Sequence, residues 1–143
     1  MFKTILLAVD GSAASESAAL HAFTLTQAYH STLHILTVVD VYGAYYATPE
    51  SIALLQEEGR ELLQKFARQT NERGITPQTH LLETDASGSR HIGGMIVAIA
   101  KKIEADLLVL GSHGLRGWRE MLMGSVATEV SQTAHCSVLI ARD

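Results

Sequence analysis

At 143 residues the chain has the length of a single domain spanning residues 1–143, and it can bury a core without disulfides or metals. A hydrophobic fraction of 47% against 18% charged residues excludes a disordered chain, and a formal net charge of −4 argues against a general nucleic-acid-binding surface. One cysteine, Cys136, allows no intrachain disulfide, no apolar run approaches the ~20 residues of a membrane helix, and Met1-Phe2-Lys3-Thr4 lacks the layout of a secretory leader; a cytoplasmic protein with no nucleic-acid or membrane partner is expected.

Thr4 to Val9 is apolar on both faces, as a central parallel strand is. Asp10-Gly11-Ser12 ends it, and Ser12 is placed to cap a helix reaching about Tyr29. Ala14, Ala18, Ala22, Leu25 and Tyr29 give that helix one apolar face, and its small alanines let it sit close on a sheet. A second strand runs from about Thr32 to Val39. The following stretch to Pro49 reads as a loop with Tyr42, Gly43, Tyr45 and Tyr46, whose rings either flank a ligand or pack over the sheet edge. The helix predicted from Pro49 to Arg73 has Ile52, Leu55, Leu62, Leu63 and Phe66 as its stripe. Its glutamates come early and its cations late, which complements the helix dipole; Gly74 and Pro77 stop it.

A third strand is expected over Thr79 to Glu83, then a polar turn, then a helix from about Arg90 to Glu104 with Ile92, Ile96, Ile99 and Ile103 on one side. The fourth strand, Leu107 to Leu110, meets Gly111-Ser112-His113-Gly114. A polar, basic segment carrying Arg116, Trp118 and Arg119 leads to Gly124-Ser125-Val126. There a helix opens that turns Val126 and Val130 inward and ends near His135. Ser137 to Ala141 is the last strand, and Cys136 just before it reads as a buried, inert thiol. The alternation of strand and helix predicts an α/β fold, a three-layer sandwich around a five-stranded parallel sheet with right-handed crossovers.

The chemistry concentrates where the fourth strand gives way to glycines and a helix start. Glycines let a backbone approach a ligand closely. The first turn of a helix offers N–H groups with no internal partner and a partial positive charge, which suits an anion. Arg116, Arg119 and His113 add donors for phosphate oxygens. Each feature also has a plain structural reading: Asp10 as a turn former, Gly111 and Gly114 as a tight turn, Gly124-Ser125 as ordinary capping, the arginines as solvated side chains. No Walker lysine is present, and no carboxylate in the glycine segment would organise a metal-bound water. No catalytic residue or metal ligand set is therefore assigned, and any hydrolysis should be slow. The seven histidines lack the paired spacing of a zinc site, and no G-x-S-x-G elbow supports a hydrolase.

The spacing Gly111-x2-Gly114-x9-Gly124-Ser125 resembles the nucleotide-binding signature of the universal stress protein family. Ile5 to Ser12, Ala105 to Gly114 and Cys136 to Ile140 resemble that family's first, fourth and last strands, in its order and over essentially the whole chain. Ser137 departs from the pattern, since proline commonly follows the cysteine. The resemblance implies a Rossmann-like sheet of order 3-2-1-4-5, whose direction of winding reverses between strands one and four, where open α/β sheets bind ligands. It implies ATP, or ADP or AMP; Mg is a candidate ion to accompany the phosphates, with no protein ligand set for it. Carried over by position, Ala8, Asp10 and Val38 would meet the adenosine end, and Leu110, Gly111, Gly114, Gly124, Ser125 and Val126 the ribose and phosphates. A nucleotide-binding stress or signalling regulator is the expected function; the alternative is a dimeric interaction module that acts without nucleotide. An apolar last strand at a sheet edge is a pairing liability, so Val138, Leu139 and Ile140 are expected to pair in a homodimer across a two-fold axis.

Overall fold

The structure, a computed structural model, describes residues 1–41, 48–84, 92–114 and 123–143. Five strands, β1 (Thr4–Ala8), β2 (Thr32–Val39), β3 (Gln78–Glu83), β4 (Leu107–Gly111) and β5 (Ser137–Ala141), alternate with helices α1 (Ala13–Tyr29), α2 (Pro49–Glu72), α3 (Ile92–Lys102) and α4 (Ser125–Thr133). The sheet is parallel throughout, in the order β3-β2-β1-β4-β5.

Side chains alternate across the sheet and build a core on each face. Ile5, Leu7, Leu33, Ile35, Leu107 and Val109 point to the layer of α1 and α2, where Phe23, Leu63 and Phe66 meet them. Leu6, Ala8, Leu36, Leu108 and Leu110 point the other way, to Ile96, Ala100, Ala127 and Val130 of α3 and α4. Burial on both faces is why these strands are nearly continuous apolar runs. Two glycines bring helices onto the sheet. A Cβ at Gly111 would lie 2.8 Å from the backbone carbon and the Cβ of Ala14 in α1, and one at Gly59 of α2 would lie 2.8 Å from both Val39 and Leu81 side chains.

Local signals set the helix limits. Ser12 caps α1 by accepting from the Ser15 N–H, Thr48 does the same for α2 through Ser51, and Gly74 leaves α2 at a φ of +77°. Periodicity misplaced some side chains. Tyr29, expected on the buried face of α1, is exposed, with its ring edge-to-face against Phe2, centroids 5.4 Å apart; Phe23 and Thr26 fill the interior instead. In α4 the buried pair is Ala127 and Val130, with Val126 half-buried. Cys136 is half-buried too, and burial, aided by Asp106, raises its thiol above the usual range. β5 lies at the sheet edge. Its Leu139 packs toward the α1–α2 layer and Val138 and Ile140 toward the other, so what the edge presents is chiefly backbone. No described helix is long and apolar enough to cross a membrane.

Candidate functional site at the carboxyl ends of β1 and β4

The winding reverses between β1 and β4, and the turns that leave these two strands meet. Gly11 takes a φ of +84°, a left-handed conformation that glycine adopts without strain. The turn is locked by the Ser12 N–H donating to Asp10 Oδ1 at 2.9 Å and the Asp10 N–H donating to Ser15 Oγ at 3.4 Å. From the β1 side, Ser12 Oγ donates to the carbonyl of His113 at 3.2 Å. A Cβ on Gly114 would lie 2.8 Å from Asp10 Oδ2, so the carboxylate rests close against the glycine backbone, and a side chain there would have to push it aside. The sequence placed Asp10 and Gly114 in one crevice, and the structure brings them together.

The third wall is the start of α4. The Gly124 N–H donates to the carbonyl of Ser112 at 2.7 Å, which seats the helix beside the end of β4. Gly124 is the N-cap, with φ −73° and ψ 166°, and supplies no side chain to the first-turn N–H groups. Helices α1 and α2 are capped by their own hydroxyls, whereas among the described residues no side-chain cap bond closes the start of α4, which faces the crevice. Ser125 at its first position is exposed and Val126 half-buried. A helix start so arranged offers several N–H donors and a partial positive charge to one anion.

Ala8, Val38 and Leu110, expected at the site, belong to the core on the α3–α4 side: Ala8 and Leu110 are buried, Val38 partly so. Gly111 lines the same strand end, and its contact with α1 gives it a packing role as well. His113 is half-buried, its Nδ1 2.9 Å from Ser112 Oγ. Arg116, Trp118 and Arg119, like Tyr42, Gly43, Tyr45 and Tyr46, lie outside the described residues.

Two supporting residues escaped the sequence reading. Ser12 was read only as a cap, yet it also ties the two turns together. Ser112 is buried, and its backbone links three elements: its N–H donates to Ala141 of β5 at 2.7 Å and its carbonyl accepts from Gly124. A serine between glycine and histidine carries no signal for that position without the β4–β5 register. Among the described residues no group of three or more histidine, cysteine, aspartate or glutamate side chains is gathered as for a metal. Of the histidines, His34 and His80 meet away from this crevice, on β2 and β3.

Residues 1–142 match the family described as the universal stress protein family. A universal stress protein of Methanocaldococcus jannaschii is 35% identical over 148 aligned residues, covering 99% of this chain and 83% of that protein. Among solved structures, a universal stress protein of Lactobacillus plantarum superposes with a TM-score of 0.79 at 25% identity, over 99% of this chain and 98% of its own. One from Archaeoglobus fulgidus, in complex with dAMP, gives 0.69 at 22% identity over 99% and 98%.

Proposed function

The chain belongs to the universal stress protein family, and from that premise we propose that the crevice between β1, β4 and α4 binds an adenine nucleotide, ATP in the working state, as a stress-response or signalling regulator. The observation that carries the reading is the bare amino end of α4, set by the Gly124–Ser112 hydrogen bond beside Gly114 and His113. The dAMP complex of the Archaeoglobus fulgidus protein, which shares the fold, supports the choice of adenine.

In this assignment Ala8 and Val38 take the base against apolar surface, and Asp10 accepts from the base or a ribose hydroxyl. Leu110, Gly111 and Gly114 let the sugar approach the backbone. Gly124, Ser125 and Val126 meet the phosphates through N–H groups and the Ser125 hydroxyl; His113 and Arg116 add side-chain donors. A bound Mg would be held by the phosphates, because no described cluster of three or more histidine, cysteine, aspartate or glutamate side chains is gathered to hold it. Phosphoryl transfer needs positioned metal, nucleophile and charge stabilisers; the crevice supplies backbone donors for binding, so turnover is slow at most. The working protein is a cytoplasmic homodimer paired through Val138, Leu139 and Ile140 of β5.

The test is mass spectrometry of small molecules released from the purified protein, with calorimetry against ATP, ADP and AMP. Binding of at least one is expected; a protein with no measurable affinity for any of them refutes the reading. A second reading, a dimeric module acting without nucleotide, draws on the open edge of β5. Dimers by light scattering in nucleotide-free protein that shows no nucleotide affinity would favour it.

A further inference from the structure

We propose that His34 and His80 form a proton-sensitive latch that holds the edge strand β3 onto β2. His34 Nδ1 and His80 Nε2 lie 2.8 Å apart, and the rings stack at 17° with centroids 5.1 Å apart. The two residues sit on neighbouring strands, where β2–β3 register sets His34 opposite Gln78 and Leu36 opposite His80. His34 is 7% exposed. β3 has a partner strand on one side only, so this side-chain bond adds to the single ladder that retains it.

The surroundings oppose charge on the pair. Across the sheet His34 is flanked in register by Leu6 of β1. From α3, whose last turn carries Lys101 and Lys102, Lys102 repels positive charge at His80. Asp106, just before β4, accepts from the backbone N–H groups of Lys3 and Thr4, and no carboxylate is among the causes that shift either imidazole. Burial, then the partner imidazole, holds the His34 pKa below its ordinary value; burial, then Lys102, does so for His80. The same positive potential disfavours a metal cation between the rings.

A neutral pair bonds with one nitrogen donating and the other accepting. One added proton leaves that N–H···N bond in place, against the cost of charge in an apolar site. A second proton turns both facing nitrogens into donors, and the bond is lost. Because both folded pKa values lie below the unfolded value of about 6.5, the pair's contribution is complete above that pH. It is lost as pH falls through the folded values, since the released strand binds protons more readily than the latched one.

Hydrogen exchange of the full chain between pH 7.5 and 4.5, corrected for intrinsic rates, tests this. Opening of β3, Gln78–Glu83, is expected to rise by up to about tenfold per pH unit for each proton taken up on release, while β5, the other edge, changes far less. Imidazole NMR should place both titrations below about 6.5. In His80→Gln, whose amide can bond His34 without titrating at this pH, only His34 is left to take up a proton, so the acid dependence of β3 opening should fall from that of two groups to that of one, at most about tenfold per pH unit. Uniform exchange in both edges of the wild-type protein, or titration of either ring at or above its ordinary value, overturns the latch.

Discussion

Replacing Gly124 by aspartate tests the crevice with the least disturbance of the fold. Its φ of −73° and ψ of 166° are open to any residue. A Cβ there would meet the Ser112 carbonyl oxygen at 3.4 Å, His113 Cα at 3.6 Å and the Gly114 nitrogen at 3.7 Å, which is ordinary contact. Aspartate is a favoured N-cap, and against glycine it gains only a few tenths of a kcal/mol, so stability should hold or rise slightly. Binding should suffer twice. The new carboxylate accepts from the first-turn N–H groups that a phosphate would use, and it sets a negative charge beside the ligand's own. Two like charges about 4 Å apart repel by about 1 kcal/mol in water and about 4 kcal/mol near a protein surface, which corresponds to a loss of about fivefold to nearly a thousandfold in affinity. Calorimetry with ATP on wild-type, Gly124→Asp and Gly124→Ala proteins, beside urea unfolding, separates charge from bulk: the alanine variant should bind much more tightly than the aspartate one. Wild-type affinity in Gly124→Asp would show that phosphates do not lie at the start of α4.

Gly111→Ala pushes a methyl to 2.8 Å from the Ala14 backbone and 2.9 Å from the Ser15 nitrogen, atoms of a helix that cannot step aside. A loss of about 2–3 kcal/mol in urea unfolding is expected, and a neutral result would mean α1 is free to shift. Ser12→Ala removes both the α1 cap and the donor to the His113 carbonyl; it should cost about 1 kcal/mol of stability and weaken nucleotide binding, and tight binding on a destabilised fold would detach the turn contact from the site. Cys136, with its thiol pKa raised by burial and then by Asp106, should react with iodoacetamide at pH 8 more slowly than an unstructured cysteine and lose that protection in urea; equal rates in both states would contradict its placement.

The sheet was legible because parallel strands buried on both faces must be apolar almost throughout, and because Asp10-Gly11-Ser12, Gly74 and the glycines after Leu110 each end an element by local chemistry. The strand order came from the resemblance, not from the residues, and the pairing in the structure agrees with it. Contacts between distant segments were not legible. Gly59 reads as a weak point in a helix until Leu81 and Val39 are seen above it. Gly93 likewise reads as a poor helix former, yet a Cβ there would run into the side chain of Glu129 on α4. His34 and His80 stand 46 positions apart, and only the β2–β3 register brings their nitrogens into contact. Tyr29 failed for a different reason: helical period says which side a residue faces, but not whether the sheet extends beneath the helix's last turn.

A site made of backbone has a consequence for how far its influence reaches. A side-chain ligand can be altered alone, whereas the backbone of Ser112 at the end of β4 serves two neighbours at once. The Ser112 carbonyl accepts from Gly124 while its N–H donates to Ala141, and Gly111 pairs with the same Ala141. The first turn of α4 and the last residue of the edge strand are therefore joined through two hydrogen bonds on one peptide-linked residue. In the proposed function the first of these meets the phosphates and the second belongs to the strand that pairs with a partner subunit. In that proposal a phosphate held at the first turn of α4 would bear on the Ser112 carbonyl, and Ser112 in turn on Ala141 of β5. On the proposed reading this short path would link nucleotide occupancy to the edge strand β5, without a catalytic step.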